Sequence, residues 1–77
     1  MNKTRRKAIE DIIAQLEEQK SAIETAQNEE QEAYDNLPDG IQCTERGEAM
    51  SENADDLEQA ASDLDDVISS LQDIIDR

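Results

Sequence analysis

An unbroken heptad pattern in the last third of the chain is the feature that most constrains its fold. From Met50 to Ile75, apolar residues follow one another at spacings of 4, 3, 4, 3, 4, 3 and 4, and most positions between them are acidic or polar. The residues of this stripe are Met50, Ala54, Leu57, Ala61, Leu64, Ile68, Leu71 and Ile75. This period is typical of a helix that buries one face along its whole length. It predicts a helix over about residues 45–76.

A second apolar track runs beside the stripe, at Ala60, Val67 and Ile74. It widens the apolar face to three positions in seven, which is typical of a helix bundle and wider than the seam of a two-stranded coiled coil. A single partner helix cannot cover a face of this width. We therefore expect two copies of the chain to pack into a four-helix bundle.

The first half of the chain predicts another long helix, over about residues 4–36, with Asn2 or Thr4 as its N-cap. This stretch contains no Gly or Pro, and its apolar residues also recur every three, four or seven positions. The pattern is weaker than in the second half, because polar residues fall on or beside the stripe, at Gln19, Lys20, Gln27 and Glu30. Ala, Glu, Gln and Lys, which favour helices, fill the positions between.

The predicted turn, residues 37–44, separates the two helices. Pro38 disfavours helix at the preceding residue, and Pro38-Asp39-Gly40 favours a tight turn. Thr44 or Ser51 can cap the helix that follows. Two helices of matched length joined by a short turn predict an all-α fold, in which residues 1–77 form one antiparallel, coiled-coil-like hairpin.

The apolar residues of both helices are the candidate interface of a homodimer, since a chain of 77 residues buries only a thin core by itself. In helix 2 these residues are Met50, Leu57, Ala60, Leu64, Val67, Ile68, Leu71, Ile74 and Ile75. In helix 1 they are Ile9, Ile12, Ile13, Leu16 and Ile23.

Charge is the second strong feature, with 21 acids, seven bases and a net charge of −14. Four of the bases lie at residues 3–7, and we expect Arg5, Arg6 and Lys7 to lie beside the end of helix 2 and its acids. The acids there are Asp66, Asp73 and Asp76. A strong negative field repels nucleic acids and anionic membranes and favours basic partners. Direct binding to nucleic acid or membrane is therefore not expected.

Seven acids of helix 2 form the candidate partner-binding surface. They are Asp55, Asp56, Glu58, Asp63, Asp65, Asp66 and Asp73. Rows of carboxylates on a rigid helix resemble the charges of a DNA strand, so the surface could occupy the basic groove of a nucleic-acid-handling protein. The alternative is that these acids only keep an exposed helix polar and the protein dissolved.

Catalytic, cofactor-binding and metal-binding residues are not expected, and neither is enzymatic activity. The chain has no His, and adjacent acids such as Asp55 and Asp56 diverge by about 100° on a helix, too far to share a proton. The acids of residues 63–66 do not form a calcium loop, which requires a central Gly. Cys43, the only cysteine, either bridges two protomers or has no role, and the lack of a long apolar run favours a cytoplasmic protein.

The segment from Glu29 to Met50, EEQEAYDNLPDGIQCTERGEAM, follows a basic start and precedes an acidic heptad helix. In this combination the chain resembles a group of small acidic helical proteins of phage and prophage origin. The resemblance implies a phage origin and a helical architecture, and it assigns no activity. Small acidic phage proteins often bind and block a host defence or nucleic-acid enzyme, which would place this chain in the host cytoplasm. A structural or scaffolding bundle is the alternative function.

Overall fold

The computed structural model describes residues 1–77 and contains two long helices with one short helix between them. Helix α1 spans Lys3–Asp35, α2 spans Asp39–Gln42 and α3 spans Glu45–Ile75. Helices α1 and α3 pack antiparallel and form a rod that measures 59 × 15 × 13 Å. The predicted all-α hairpin is confirmed, and each long helix ends within one residue of its predicted bounds.

Side-chain caps define where both long helices begin. The Asn2 side chain accepts a hydrogen bond of 2.8 Å from the backbone N–H of Arg5. The Thr44 hydroxyl accepts one of 3.4 Å from the backbone N–H of Gly47. Each bond satisfies a first-turn N–H that has no partner within its helix. Asn2 therefore caps α1 and Thr44 caps α3.

The connection differs from the predicted tight turn, because Asp39–Gln42 forms one turn of helix. The Pro38 carbonyl accepts hydrogen bonds from the backbone N–H groups of Ile41, at 2.8 Å, and Gln42, at 3.1 Å. Pro38 suits the start of this helical turn because it has no N–H to leave unpaired. Gly40 thus lies inside the turn with negative φ, where a Cβ would meet nothing within 4 Å.

The seam, the row of residues that each long helix turns toward the other, follows the heptad pattern closely. All eight residues of the predicted α3 stripe are buried or half-buried, which confirms that the stripe is the packing face. In α1 and just beyond it, the seam residues alternate at spacings of three and four and are also buried or half-buried. They are Arg6, Ile9, Ile13, Leu16, Lys20, Ile23, Gln27, Glu30, Tyr34 and Leu37.

The apolar core lies at the open end of the rod, the end formed by the start of α1 and the end of α3. Ile13, Ile68 and Ile75 form its buried cluster, with Ile9, Leu16, Leu64 and Leu71 packed around them. Toward the turn end, where α2 lies, the α1 seam becomes polar at Lys20, Gln27 and Glu30. Only six of 77 residues are buried, so one hairpin has a thin core concentrated at one end.

The structure divides the predicted dimer interface into residues used within the hairpin and residues left outside it. Most members belong to the seam described above. Ile12 and Val67 remain 45% and 48% exposed, Ala60 is also exposed, and Ile74 is half-buried. Contact between two hairpins stays a prediction, and only these last residues are free to make it.

Fewer of the basic residues at the start of α1 bond to α3 than expected. The Arg6 guanidinium donates a hydrogen bond to the backbone carbonyl of Ile75, so it caps the negative end of α3. Lys7 instead forms an ion pair of 2.9 Å with Asp11 in its own helix, and Arg5 forms none. The expected pairing of Lys7 and Arg5 with the acids of α3 is therefore wrong. An acid one turn along the same helix is the nearer partner for Lys7.

Candidate functional site

Two long sides flank the seam, and their chemistry differs. With Ile13 and Ala54 at heptad position a, positions g of both antiparallel helices lie along one side of the hairpin and positions e along the other. Lys20 confirms this assignment, because its ammonium lies 3.7 Å from Glu24 and 3.0 Å from Asp65, which both occupy position e. The two sides can therefore be compared residue by residue.

The acidic side, formed by positions e, carries five carboxylates within the helices. They are Glu10, Glu17, Glu24, Glu58 and Asp65. Lys20 is the cation that reaches them from the seam. The hydrogen bond from its ammonium to Asp65 is the main cause that raises the pKa of Lys20 above its ordinary value of 10.5. Desolvation opposes it, and the attraction of the Asp65 and Glu24 charges adds to the rise.

The acid-free side, formed by positions g, has no acidic residue at those positions, in a chain that has 21 acids. Its residues are Arg5, Ile12, Gln19, Ala26, Ala33, Arg46, Asn53, Ala60, Val67 and Ile74. All of them are exposed except the half-buried Ile74. The Glu30 carboxylate reaches this side from the seam and accepts a hydrogen bond of 3.5 Å from the Asn53 amide. This side carries two of the four large hydrophobic residues that the hairpin leaves exposed, Ile12 and Val67.

The seven acids predicted to bind a partner are all exposed, and the structure arranges them in two rows on the outer half of α3. Asp55, Glu58 and Asp65 form the row that borders the acidic side. Asp56, Asp63, Asp66 and Asp73 form the row along the middle and the opposite edge of the outer face. Asp55 and Glu58 are three residues apart, as are Asp63 and Asp66, and such neighbours on a helix lie about 5–6 Å from each other. The predicted set therefore forms two rows rather than a single line of charges.

Two of these seven carboxylates have fixed partners. Asp65 accepts a hydrogen bond of 3.0 Å from Lys20, and Asp63 accepts one of 2.9 Å from the Gln59 amide. The other five have no hydrogen-bond partner within the chain. Sequence reasoning treated Lys20 only as an interruption of the apolar stripe. The signal that could have identified its role was Glu24, one turn along the same helix, together with the acids of α3 at the same level of the hairpin.

Charge is distributed unevenly along the rod. The open end, residues 1–14 and 68–77, carries five bases and four acids. The middle, residues 15–27 and 54–67, carries one base and nine acids. The turn end, residues 28–53, carries one base and eight acids. Negative charge is thus concentrated in two thirds of the length, and Asp73 lies outside that part.

The turn end is closely packed where α2 meets α3. Gly47 is buried there, and a Cβ on it would lie 2.6 Å from the carbonyl oxygen of Ile41 and closer still to that of Gln42. The Gln42 amide donates a hydrogen bond of 3.1 Å to the backbone carbonyl of Tyr34, which ties the connection to the end of α1. Cys43 is exposed and unpaired.

No group of three or more acidic, His or Cys side chains is arranged to hold a metal ion, and the surface has no cavity. Neither long helix contains an apolar stretch of the length that crossing a membrane requires.

The fold and these surfaces define the class of the molecule, an acidic all-α helical hairpin. Comparisons with protein-family models, with curated proteins and with solved structures find no match for the chain.

Proposed function

We propose that this chain is a non-enzymatic binding protein whose acidic surface occupies a basic surface of another protein, as a nucleic acid would. The observation that carries the proposal is the density of negative charge in the middle and turn end of the rod, which hold 17 acids and two bases. Over about 40 Å of the 59 Å rod, this is one net charge per about 2.7 Å. The value falls between about 1.7 Å for duplex DNA and 3.4 Å for a single strand.

The geometry of the carboxylates supports the same function. The seven candidate acids are exposed on one helix, and six of them are Asp, whose short side chains hold the charge close to a rigid backbone. When a basic groove binds such a surface, the counterions around the carboxylates are released, as those around the phosphates are when the groove binds nucleic acid. The field of the rod also speeds the encounter with a basic partner.

Two further features belong to this proposal. The resemblance to small phage and prophage proteins favours a host protein as the partner and the host cytoplasm as the location. Self-association of the hairpin into a homodimeric four-helix bundle would bury apolar surface that a thin core leaves outside, and it would double the charge presented to a partner.

A structural or scaffolding role is the second candidate, and the acid-free side favours it. Ile12 and Val67 are about half exposed there, beside exposed alanines. A scaffold contact through this apolar side would tolerate salt, whereas binding through the acids would weaken steeply as salt rises. Salt dependence therefore separates the two functions.

The test compares the wild-type chain with a variant that has four acids neutralised, Asp63→Asn, Asp65→Asn, Asp66→Asn and Asp73→Asn. Each is immobilised, incubated with lysate of the host in 50 mM salt and eluted with rising salt or with duplex DNA. We expect the wild type to capture nucleic-acid-binding proteins that DNA displaces, with affinity falling by on the order of 1,000-fold by 200 mM salt. The neutralised variant should capture far less.

A second variant removes the same number of charges from the turn end, with Glu29→Gln, Glu32→Gln, Asp35→Asn and Glu48→Gln, and separates the contribution of the two α3 rows from that of the rest of the charge-dense part. Circular dichroism must show that both variants remain helical. If the α3 variant binds as well as the wild type, the proposed function is wrong. If the two variants lose binding equally, total charge rather than the two α3 rows determines it.

A further inference from the structure

We infer that the acid-free side is the surface through which two copies of this chain dimerise, with the turn end of each hairpin against the open end of the other. The inference rests on the self-association proposed above, and it is independent of whether the acidic surface binds a partner. It assigns the contact to one side, names its occupant and fixes its orientation.

Charge identifies a second copy as the occupant. Two chains that each carry −14 repel one another, and the acidic side and the outer face of α3 would bring carboxylates against carboxylates. The acid-free side is the long side whose own positions bring no acidic residues against each other, and the Glu30 carboxylate that reaches it is bonded to Asn53. A basic partner, in contrast, would be drawn to the acids on the other sides of the rod.

The area of the side is sufficient for a stable dimer. A side 59 Å long and 15 Å wide offers about 900 Å², against about 800 Å² per partner in an interface of standard size. The contact would cover Ile12 and Val67, which are two of the four large hydrophobic residues that the hairpin leaves exposed. It would also supply the burial that a hairpin with six buried residues lacks.

The sizes of the side chains favour the opposed orientation. The large apolar residues of the acid-free side, Ile12, Val67 and Ile74, lie toward the open end, and Ala26 and Ala33 lie toward the turn end, beside the polar Arg46 and Asn53. When the turn end of one copy faces the open end of the other, large apolar residues can pack against the two alanines. Alternation of large and small residues across an interface allows close packing.

The charges of the two ends favour the same orientation. The turn end carries eight acids and one base, and the open end carries five bases and four acids. The opposed arrangement sets each acidic turn end against a basic open end at both ends of the dimer. The alternative, with both turns at one end, would place the two acidic ends together.

Cys43 gives a direct measurement of orientation, since it is exposed, lies in the connection and is the only cysteine. Spin labels attached to it in the wild-type chain should show an intermolecular distance of about 50 Å, close to the length of one long helix. A distance below about 25 Å would overturn the orientation, because it requires both turns at one end. A sedimentation mass of 8.6 kDa at micromolar concentration would overturn the dimer itself.

Substitution identifies the side that makes the contact. Val67→Glu places a charge on the acid-free side and should raise the dimer dissociation constant by on the order of 100-fold. Ser69→Glu adds the same charge two residues later, on an exposed position turned away from that side, and should leave the constant within about threefold.

Ala60→Glu serves as a second variant, because Ala60 is exposed and its replacement leaves the buried cluster at the open end intact. It should weaken the dimer as Val67→Glu does. If both glutamates leave the dimer unchanged, or if Ser69→Glu dissociates it equally, the acid-free side is not the interface. Because neither outcome involves capture of a basic partner, failure here is distinguishable from failure of the acidic-surface function.

Discussion

The Lys20 ammonium lies 3.0 Å from the Asp65 carboxylate and joins the middle of α1 to the middle of α3. It is the one ion pair that connects the two long helices, since the other two lie within α1. Its position matters because the α1 seam turns polar at Lys20, where apolar packing alone no longer holds the helices together.

Alkaline pH should therefore destabilise the hairpin. The hydrogen bond to Asp65 raises the pKa of Lys20 above 10.5, and the hydrogen bond to Asp11 does the same for Lys7. A raised pKa in the folded state contributes stability that is complete below the unfolded value of 10.5 and is lost as pH rises through the folded pKa. Thermal unfolding followed by circular dichroism from pH 8 to 12 should show Tm falling above about pH 10.5.

Lys20→Gln and Lys7→Gln separate the two contributions to this fall. Both lysines have a raised pKa, but only Lys20 connects the two helices. We expect Lys20→Gln to lower Tm at pH 8 and to flatten its decline above pH 10.5 more than Lys7→Gln does. Identical alkaline profiles for the wild type and Lys20→Gln would contradict this assignment.

The two glycines should respond oppositely to alanine. At Gly47 a Cβ would lie 2.6 Å from the Ile41 carbonyl oxygen, which is backbone and cannot move aside, so Gly47→Ala should cost about 1–3 kcal/mol. At Gly40 a Cβ meets nothing within 4 Å and φ is negative, so Gly40→Ala should be neutral or stabilise by up to about 1 kcal/mol. Urea unfolding of both variants gives the comparison. Equal stability of the two would show that α2 does not pack against α3 as described.

The contrast between these glycines shows where sequence reasoning succeeded and where it stopped. The heptad from Met50 to Ile75 predicted the buried face of α3, because spacing along one helix determines which residues share a face. The conformation of the connection depends on how α2 packs against the start of α3, and this is a contact between two separate segments of the chain. No local pattern reports that contact, and residues 38–40 alone predict a tight turn.

The surfaces also depend on contacts between segments that no local sequence pattern reports. The seven candidate acids of α3 were identifiable by composition, and all of them are exposed. Their division into two rows, and the existence of the acid-free side, became visible only once the register between α1 and α3 was known. Ile12 illustrates the point: it was grouped with Ile13 as an interface residue, and the register places Ile13 in the core and Ile12 on the surface.

The polar part of the α1 seam predicts a stabilising substitution. Gln27 is half-buried between the helices and forms no hydrogen bond through its side chain. Gln27→Leu would place an apolar side chain against α3 and should stabilise the hairpin by about 1–2 kcal/mol. Chemical denaturation should show the gain as a higher midpoint at an unchanged slope.

The matched control for this substitution is Gln31→Leu, one turn further along α1. Gln31 is exposed and donates a hydrogen bond of 3.0 Å to Asp35 at the surface. Its replacement should change stability by no more than about 0.5 kcal/mol. A gain at position 31 equal to that at position 27 would indicate that helix propensity, and not seam packing, is responsible.

Like-charge repulsion within α3 predicts that reversing one charge stabilises the helix more than neutralising it. Glu52 is exposed and has three acids three or four residues away, Glu48, Asp55 and Asp56. Like-charge pairs at these spacings destabilise a helix by about 0.2–0.5 kcal/mol each, and opposite charges stabilise it by a similar amount. Glu52→Lys converts all three pairs and should raise the free energy of unfolding by about 1–2 kcal/mol, whereas Glu52→Gln only removes the repulsion and should give about half. Because exposed pairs are screened by salt, the difference between the two variants should shrink as NaCl rises from 10 mM to about 1 M. A gain from Glu52→Lys that persists unchanged at high salt would show that the acids of α3 do not strain the helix electrostatically.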